Sequence, residues 1–175
     1  MPAAQKKTLT IAPAPATNDD RRCWLLKSEP TCYALADLAR DGTTGWGGIR
    51  NYQARNLLRD EMKTGDYALF YHSSAEPPGV AGLCRIAGPA RPDPTQFDPA
   101  DDHFDPRSTK ESPVWLEIPV AFVAAFPKFV PLALLKATAA LAGLMVLQKG
   151  SRLSVQPVPA AHFALICRLG GMAAP

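Results

Sequence analysis

The chain has 175 residues, 47% hydrophobic and 20% charged, so its composition predicts one ordinary globular domain that needs no disulfide or metal. The net charge is +3 and the isoelectric point is about 8.7. This balance allows a polyanionic partner, but the chain lacks the dense Lys/Arg run that is typical of strong duplex-DNA binders. No stretch approaches the roughly 20 apolar residues that span a bilayer, so we expect no membrane partner.

Cysteine and histidine spacing argues against a disulfide framework and against a metal site. No two of the four cysteines form a C-x-x-C pair, and three of them stand in apolar runs. This pattern favours buried, reduced thiols in an intracellular protein. The three histidines lack metal-ligand spacing. We therefore predict no metal and no cofactor, and an intracellular location that is cytoplasmic in a bacterium or nuclear in a eukaryote.

The first 22 residues are rich in Ala, Pro, Thr and Lys and lack the apolar core of a secretory signal. We predict that residues 1–22 form a disordered N-terminal extension, with a transit peptide as the alternative. The folded domain is then expected to span residues 23–170.

Short apolar runs and helical patterns alternate in the first half of that domain. Asn51 is a suitable N-cap for a helix, and four glycines surround Trp46 in a segment that predicts a loop. The predicted elements are, in chain order, the strand Cys23–Lys27, the helix Tyr33–Arg40, the loop Asp41–Gly48, a helix from Asn51 to Met62 and the strand Tyr67–His72.

Proline punctuates the second half. The turn Pro77-Pro78-Gly79 predicts an antiparallel strand pair, and six prolines mark a long loop over Pro89–Pro113. The other predicted elements are the strands Val80–Ile86, Val114–Phe126 and Arg152–Val158, the short helices Pro131–Lys136 and Thr138–Leu144, and a terminal helix or extended segment over Ala160–Cys167. This order indicates an α+β fold, best met by a small β-barrel flanked by short helices, and not a doubly wound sheet.

Polar side chains interrupt several of these apolar elements. Such groups must find hydrogen-bond partners at the edge of a core, which favours one shared pocket for a flat polar ligand such as a nucleobase. The segments are W-L-L-K-S-E-P at 24–30, I-R-N-Y-Q-A-R-N at 49–56, L-F-Y-H-S at 69–73 and R-L-S-V-Q-P-V at 152–158.

A base pocket needs an aromatic wall, hydrogen-bonding groups for the base edge, and cations for the phosphate. The candidate walls are Trp46, Tyr52, Tyr71 and Phe104, the candidate edge readers are Ser28, Asn51, Ser73, Ser154 and Gln156, and the candidate phosphate contacts are Lys27, Arg50, Arg55 and Arg152. Each has a structural alternative: Trp46 as a plug on the barrel, the tyrosines as core aromatics, Asn51 as only a helix cap, Ser28 as a turn cap, and the helical arginines as a solvated face.

At these segments the sequence resembles the EVE domain family, within the PUA-like superfamily and related to the YTH domains. The motifs that carry the resemblance are W-L-L-K-S-E-P, W-G-G-I-R-N-Y-Q-A-R-N at 46–56, G-D-Y-A-L-F-Y-H-S at 65–73, D-P-T-Q-F-D-P with H-F-D-P-R-S within 93–108, and R-L-S-V-Q-P-V. The resemblance covers about residues 23–168. It implies a PUA-like β-barrel with flanking helices and a pocket for a modified nucleobase. The pocket residues that it implies are Lys27, Ser28, Trp46, Asn51, Tyr52, Tyr71, His72, Ser154 and Gln156.

The preferred function is a non-catalytic reader of a modified base, either modified cytosine in DNA or a modified base in RNA. The sequence has no G-x-S-x-G or H-E-x-x-H motif and no Cys and His close together. An enzyme such as a hydrolase of modified nucleotides is one alternative, and a protein-interaction adaptor is another. We expect nucleic acid as the partner and favour a monomer.

Overall fold

A mixed sheet of seven strands organises the computed structural model, which describes residues 21–175. The predicted disordered extension over residues 1–22 lies outside the described residues except at its last two positions. The strands are β1 (Cys23–Ser28), β2 (Thr43–Trp46), β3 (Tyr67–His72), β4 (Gly79–Ile86), β5 (Arg91–Pro92), β6 (Leu116–Pro131) and β7 (Val155–Val158).

The strands follow the order β2-β6-β4-β3-β1-β7, and β5 pairs with β6 beside this path. β1 and β3 run parallel, and every other pair is antiparallel. The predicted α+β, PUA-like fold is confirmed. Across the described residues the hydrogen-bonded path is open, with β2 and β7 at its two ends, so the strands do not close into a full barrel.

An apolar cluster covers each face of the sheet. Side chains along a strand alternate between the two faces, so neighbouring residues of one strand contribute to different clusters. On β1, Trp24 and Leu26 belong to one apolar cluster and Leu25 to the other. The first cluster also receives side chains from α1 (Leu35–Asp41) and α2 (Tyr52–Asp60). The second receives them from α3 (Leu132–Ala137) and α4 (Ala160–Leu169).

The prediction of a simple loop over residues 41–48 is wrong, because Thr43–Trp46 forms β2. Thr43 and Thr44 pair with Ala121 and Val120, and Trp46 pairs with Ile118. The β-branched threonines suit an extended backbone. The short strand ends where the glycine pair at 47–48 begins, and this end places Trp46 beside the site described below.

Strand β6 extends further than predicted, to Pro131 rather than to Phe126. β2 covers β6 only from Ile118 to Ala121, so the later part of β6 has β4 on one side alone. A strand with a free edge tolerates proline, which cannot donate to a ladder, and β6 therefore continues through Pro127.

Two smaller differences concern one predicted helix and the last strand. The helix predicted over residues 138–144 is only a short 3-10 turn at Ala139–Leu141, followed by another at Met145–Leu147. The strand predicted from Arg152 begins at Val155, which leaves residues 152–154 as a connecting segment. Within residues 21–175, no helix is long and apolar enough to cross a membrane.

Candidate functional site

A cleft of about 720 Å³ lies where β1 and β2 end. Its lining comes from three parts of the chain: the end of β1 with the following turn, the glycine-rich segment that contains Trp46, and the loop between β5 and β6. Ser154, from the segment before β7, completes the lining. We call this space the Trp46 cleft.

The buried carboxylate of Asp93 ties two of these parts together. Its Oδ2 accepts hydrogen bonds from the Gly48 amide at 2.8 Å and from Arg50 Nη1 at 2.9 Å. Its Oδ1 accepts from the Thr95 amide and hydroxyl at 2.9 and 2.7 Å. Burial raises the pKa of Asp93, but the bonds from Thr95, Arg50 and Gly48 outweigh burial and hold that pKa below its ordinary value. The carboxylate is therefore a charged, fully bonded clamp.

The long proline-rich loop is ordered by a second buried polar group, Gln96. Its Nε2 donates to the carbonyl oxygens of Asp93 and Trp115, each at 2.7 Å. Its Oε1 accepts from the amides of Val114 and Trp115 at 3.0 and 2.8 Å. Gln96 thus satisfies backbone groups at both ends of the loop, and the loop presents a fixed wall to the cleft.

Trp46 is mostly buried, with 8% of its surface exposed, and its ring meets Phe70 edge to face at 5.3 Å. It belongs to the first apolar cluster while its remaining surface lines the cleft. The Trp46 side chain therefore packs in the core and also forms part of the cleft wall.

Lys27 and Ser28 reach the cleft from the end of β1. Lys27 Nζ donates to the carbonyl oxygen of Ser151 at 2.9 Å, and burial lowers the pKa of this ammonium. The Ser28 hydroxyl donates to the carbonyl oxygen of Tyr33 at 2.6 Å, which secures the turn after β1. Asn51 also lines the cleft and caps α2, since its Oδ1 accepts from the Ala54 amide at 2.9 Å.

Several of the predicted site residues do not line the Trp46 cleft. Tyr52 is 48% exposed and packs on Trp115, beneath the guanidinium of Arg55. His72 Nε2 accepts from the Leu35 amide at 3.1 Å. Tyr71 and Arg152 line a second cleft of about 560 Å³.

Gln156 and the helical arginines serve the framework. Gln156 is 1% exposed, and its Nε2 donates to Ser151 Oγ and to the Leu153 carbonyl oxygen at 2.9 and 2.8 Å. These bonds fix the segment that carries Ser154 and leave that amide nitrogen no hydrogen for a base. Arg55 bonds to Asn56 and to the Val114 carbonyl oxygen.

The structure also places in the cleft residues that the sequence did not single out. Glu117 is 8% exposed, and its Oε1 accepts from Arg91 Nε at 2.6 Å. A β-carbon at Gly45 would collide with this carboxylate, so the glycine is what admits it. The others are Tyr33, Thr44, Asp93, Asp101 and His103. Two of these residues stand in motifs of the resemblance, Asp93 in D-P-T-Q at 93–96 and His103 in H-F-D-P-R-S at 103–108.

Asp101 and His103 form the one candidate acid-base pair that lines the Trp46 cleft, with 3.0 Å between Oδ1 and Nδ1. The same carboxylate accepts from the His103 amide at 2.8 Å, so the pair is part of a local turn. In the described part of the chain, no hydroxyl or thiol bonds to His103, and no group of three or more His, Cys, Asp or Glu side chains could hold a metal ion.

Comparisons with known proteins agree with the motifs. The family model described as the EVE domain matches residues 22–169. Thymocyte nuclear protein 1 of Homo sapiens is 42% identical over 164 residues, which cover 83% of this chain and 72% of the human protein. A solved Pseudomonas putida protein is 47% identical, with a TM-score of 0.81, and the match covers 85% of this chain and 99% of that one.

The crystal structure of the human THYN1 protein in complex with 5-methylcytosine-containing DNA is 39% identical to this chain, with a TM-score of 0.80. That match covers 87% of this chain and 99% of the human one. The resemblance predicted from the motifs is confirmed, and the chain belongs to the EVE domain family.

Proposed function

We propose that this chain is a non-catalytic nucleic-acid reader, and that its domain, residues 23–170, admits a modified nucleobase to the Trp46 cleft. 5-Methylcytosine in DNA is the first candidate, and a modified base in RNA is the second. The observation that carries the proposal is the likeness to the human THYN1 protein in complex with 5-methylcytosine-containing DNA, at 39% identity over 87% of this chain.

The chemistry of the lining suits a pyrimidine. Cytosine presents an exocyclic amine that donates hydrogen bonds, and Glu and Asp are the side chains that accept from it. Glu117 is the proposed acceptor, because one of its oxygens already bonds to Arg91 and the other lies beside Gly45. Lys27 uses one of the three donors of its ammonium on Ser151, so two remain for a base carbonyl.

Stacking would supply the rest of the affinity. An aromatic wall contributes about 1–3 kcal/mol per stacked base. The lining contains one tryptophan, Trp46, and one tyrosine, Tyr33. Trp46 is held in place by its contact with Phe70, and Tyr33 by a hydrogen bond of 3.0 Å from its hydroxyl to Asp41.

The methyl group alone sets a limit on selectivity. Burying one methyl is worth about 0.8 kcal/mol, which corresponds to roughly a fourfold change in affinity. Extracting the base from a duplex costs a few kcal/mol, so a single strand should bind more tightly than a duplex. The proposal therefore predicts a modest preference for methylated cytosine and a clear preference for single strands.

The test is fluorescence polarisation with matched short oligonucleotides that differ only in one cytosine or 5-methylcytosine. DNA and RNA, single strands and duplexes, are compared at two salt concentrations. Glu117→Gln should lower affinity by about tenfold to a hundredfold, because a hydrogen bond to a charged acceptor is worth about 1.5–3 kcal/mol. Glu111→Gln removes the same charge from an exposed site away from the cleft and should change nothing.

Equal binding of methylated and unmethylated probes that disappears at higher salt would contradict the proposal, because phosphate attraction alone behaves in this way. The hydrolase and adaptor alternatives would then lead. Product release from a modified nucleotide that is lost in His103→Gln would favour the hydrolase. A protein partner retained by Glu117→Gln would favour the adaptor.

A further inference from the structure

The Trp46 cleft and the second cleft differ sharply in charge. Acidic side chains outnumber basic ones in the Trp46 cleft, where Lys27 and Arg50 face the carboxylates Glu29, Asp93, Asp101 and Glu117. The second cleft holds no carboxylate and four cations, Lys27, Lys136, Lys149 and Arg152. A phosphate would be repelled by the first cleft and attracted by the second.

Three of the four cations of the second cleft are also free to contact a ligand. Within residues 21–175, Lys136, Lys149 and Arg152 make no ion pair and no side-chain hydrogen bond, and all three are exposed. In contrast, Arg50 donates to Asp93, Thr95 and two carbonyl oxygens. Arg50 is therefore committed to the framework, whereas three cations of the second cleft have no such bonds.

The two clefts are physically joined. Lys27 lines both, and it is bonded twice to the segment that runs between them. Its amide donates to the Ser154 carbonyl oxygen and its Nζ to that of Ser151, each at 2.9 Å. Ser151 lines the second cleft and Ser154 the first. Three residue steps span at most about 10 Å, so the clefts lie within reach of one base and its neighbouring backbone.

We infer that the second cleft is a phosphate subsite, which holds the backbone of a nucleic-acid strand whose base occupies the Trp46 cleft. This inference rests on the proposed function and adds the path of the strand to it. Affinity would then come mainly from the second cleft and discrimination between bases from the first, in accordance with the separate roles of phosphate and base contacts. The ligand class is a single-stranded oligonucleotide phosphate.

The experiment measures oligonucleotide affinity against salt concentration for the wild type, for the double variant Lys149→Gln/Arg152→Gln and for the matched control Lys63→Gln/Lys128→Gln. The control removes two exposed charges that line neither cleft. Each phosphate contact on a single strand contributes about 0.7 to the slope of log affinity against log salt. The double variant should lower that slope by about 1.4, whereas the control should leave it unchanged.

The ratio of affinities for methylated and unmethylated probes separates this inference from the proposed function. We expect the ratio to be the same in the wild type and in the double variant, because base recognition stays in the first cleft. An equal salt slope in the wild type and the double variant would overturn the phosphate subsite even where the ratio exceeds one. An affinity ratio of one in the wild type would contradict the proposed base reader. The salt slopes would still show whether the second cleft binds phosphate.

An acidic protein segment is the other polyanion that the second cleft could attract. Polyglutamate is therefore titrated in parallel with the oligonucleotides. Binding of polyglutamate without binding of any oligonucleotide would overturn the inference and assign the second cleft to a protein partner. Oligonucleotide binding that polyglutamate does not displace at equal charge would support the subsite.

Discussion

Arg50 Nη1 donates to the fully buried carboxylate of Asp93 at 2.9 Å and thereby joins the end of the glycine-rich segment to the loop between β5 and β6. The same carboxylate oxygen accepts from the Gly48 amide at 2.8 Å. Two walls of the Trp46 cleft are thus positioned by one acidic side chain. The shape of the cleft depends on a group that a ligand need not touch.

Asp93→Asn is expected to destabilise the protein strongly. The amide nitrogen of Asn would face donors that now bond to an oxygen, and breaking a buried ion pair costs about 3 kcal/mol or more. In a protein of this size such a loss lowers the melting temperature by roughly 6–12 °C. Thermal unfolding followed by circular dichroism measures it.

The control for this change is Asp60→Asn, which removes one partner of the exposed pair between Arg59 and Asp60. Exposed pairs contribute little to stability, so its melting temperature should match that of the wild type. Equal melting temperatures for the two variants would mean that Asp93 does not clamp the loops.

Trp46 requires a conservative substitution, because it serves the core and the cleft together. Trp46→Ala is expected to lose about 3–5 kcal/mol of stability, which would hide any effect on binding. Trp46→Phe retains an aromatic ring against Phe70, and we expect it to fold while losing part of its affinity for oligonucleotides. Melting temperature and polarisation are measured on the same samples.

Phe70→Leu is the matched control, since Phe70 packs on Trp46 but does not line the cleft. It should lower stability with less effect on affinity than Trp46→Phe. Affinity that falls equally in both variants would assign Trp46 to the core alone.

Local patterns were enough to predict much of the fold. The strand at Tyr67–His72 has the bounds that its apolar run predicted, because its four central residues are buried and the turn at Gly65 precedes it closely in the sequence. The role of Asn51 as a helix cap followed from its side-chain chemistry and is confirmed by its bond to Ala54. In these cases the cause of the structure lies within a few residues.

The parts that could not be predicted depend on partners distant in the sequence. β2 exists because Thr43–Trp46 meets β6, and four glycines in one segment concealed the strand. Gln156 looked like a base reader, yet its donors serve Ser151 and Leu153 inside the protein. In the sequence, Glu117 looks like an ordinary strand residue. Only the fold shows that its carboxylate lies against Gly45. Side-chain chemistry alone does not reveal which groups the fold has already satisfied.

Cys32 is predicted to be the one rapidly alkylated thiol among the four cysteines. It is exposed and lines the Trp46 cleft. Burial raises the pKa of Cys84 to about 12 and that of Cys167 to about 11, and burial with the nearby Asp66 carboxylate raises that of Cys23 to about 11. At about pH 8, a thiol with a pKa near 11 has only about one thiolate for every thousand protonated thiols, and the thiolate is the reactive form.

Iodoacetamide labelling followed by mass spectrometry tests this prediction. One label should enter quickly, Cys32→Ser should abolish it, and an oligonucleotide that fills the cleft should slow it. Labelling that the oligonucleotide leaves at full speed would place the ligand elsewhere on the protein.

His72 should make the stability of the protein depend on pH. Its Nε2 accepts from the Leu35 amide at 3.1 Å, which requires a neutral ring with its proton on Nδ1. Burial lowers the pKa of His72 below the ordinary value of 6.5. Its contribution to stability is therefore complete above about pH 6.5 and is lost as the pH falls through the lowered pKa, because the unfolded chain then binds the proton more readily.

His72→Gln offers an amide oxygen to the same amide but does not titrate. The melting temperature of the wild type should fall more than that of His72→Gln between about pH 7.5 and about pH 5, and parallel curves would show that His72 does not govern this transition.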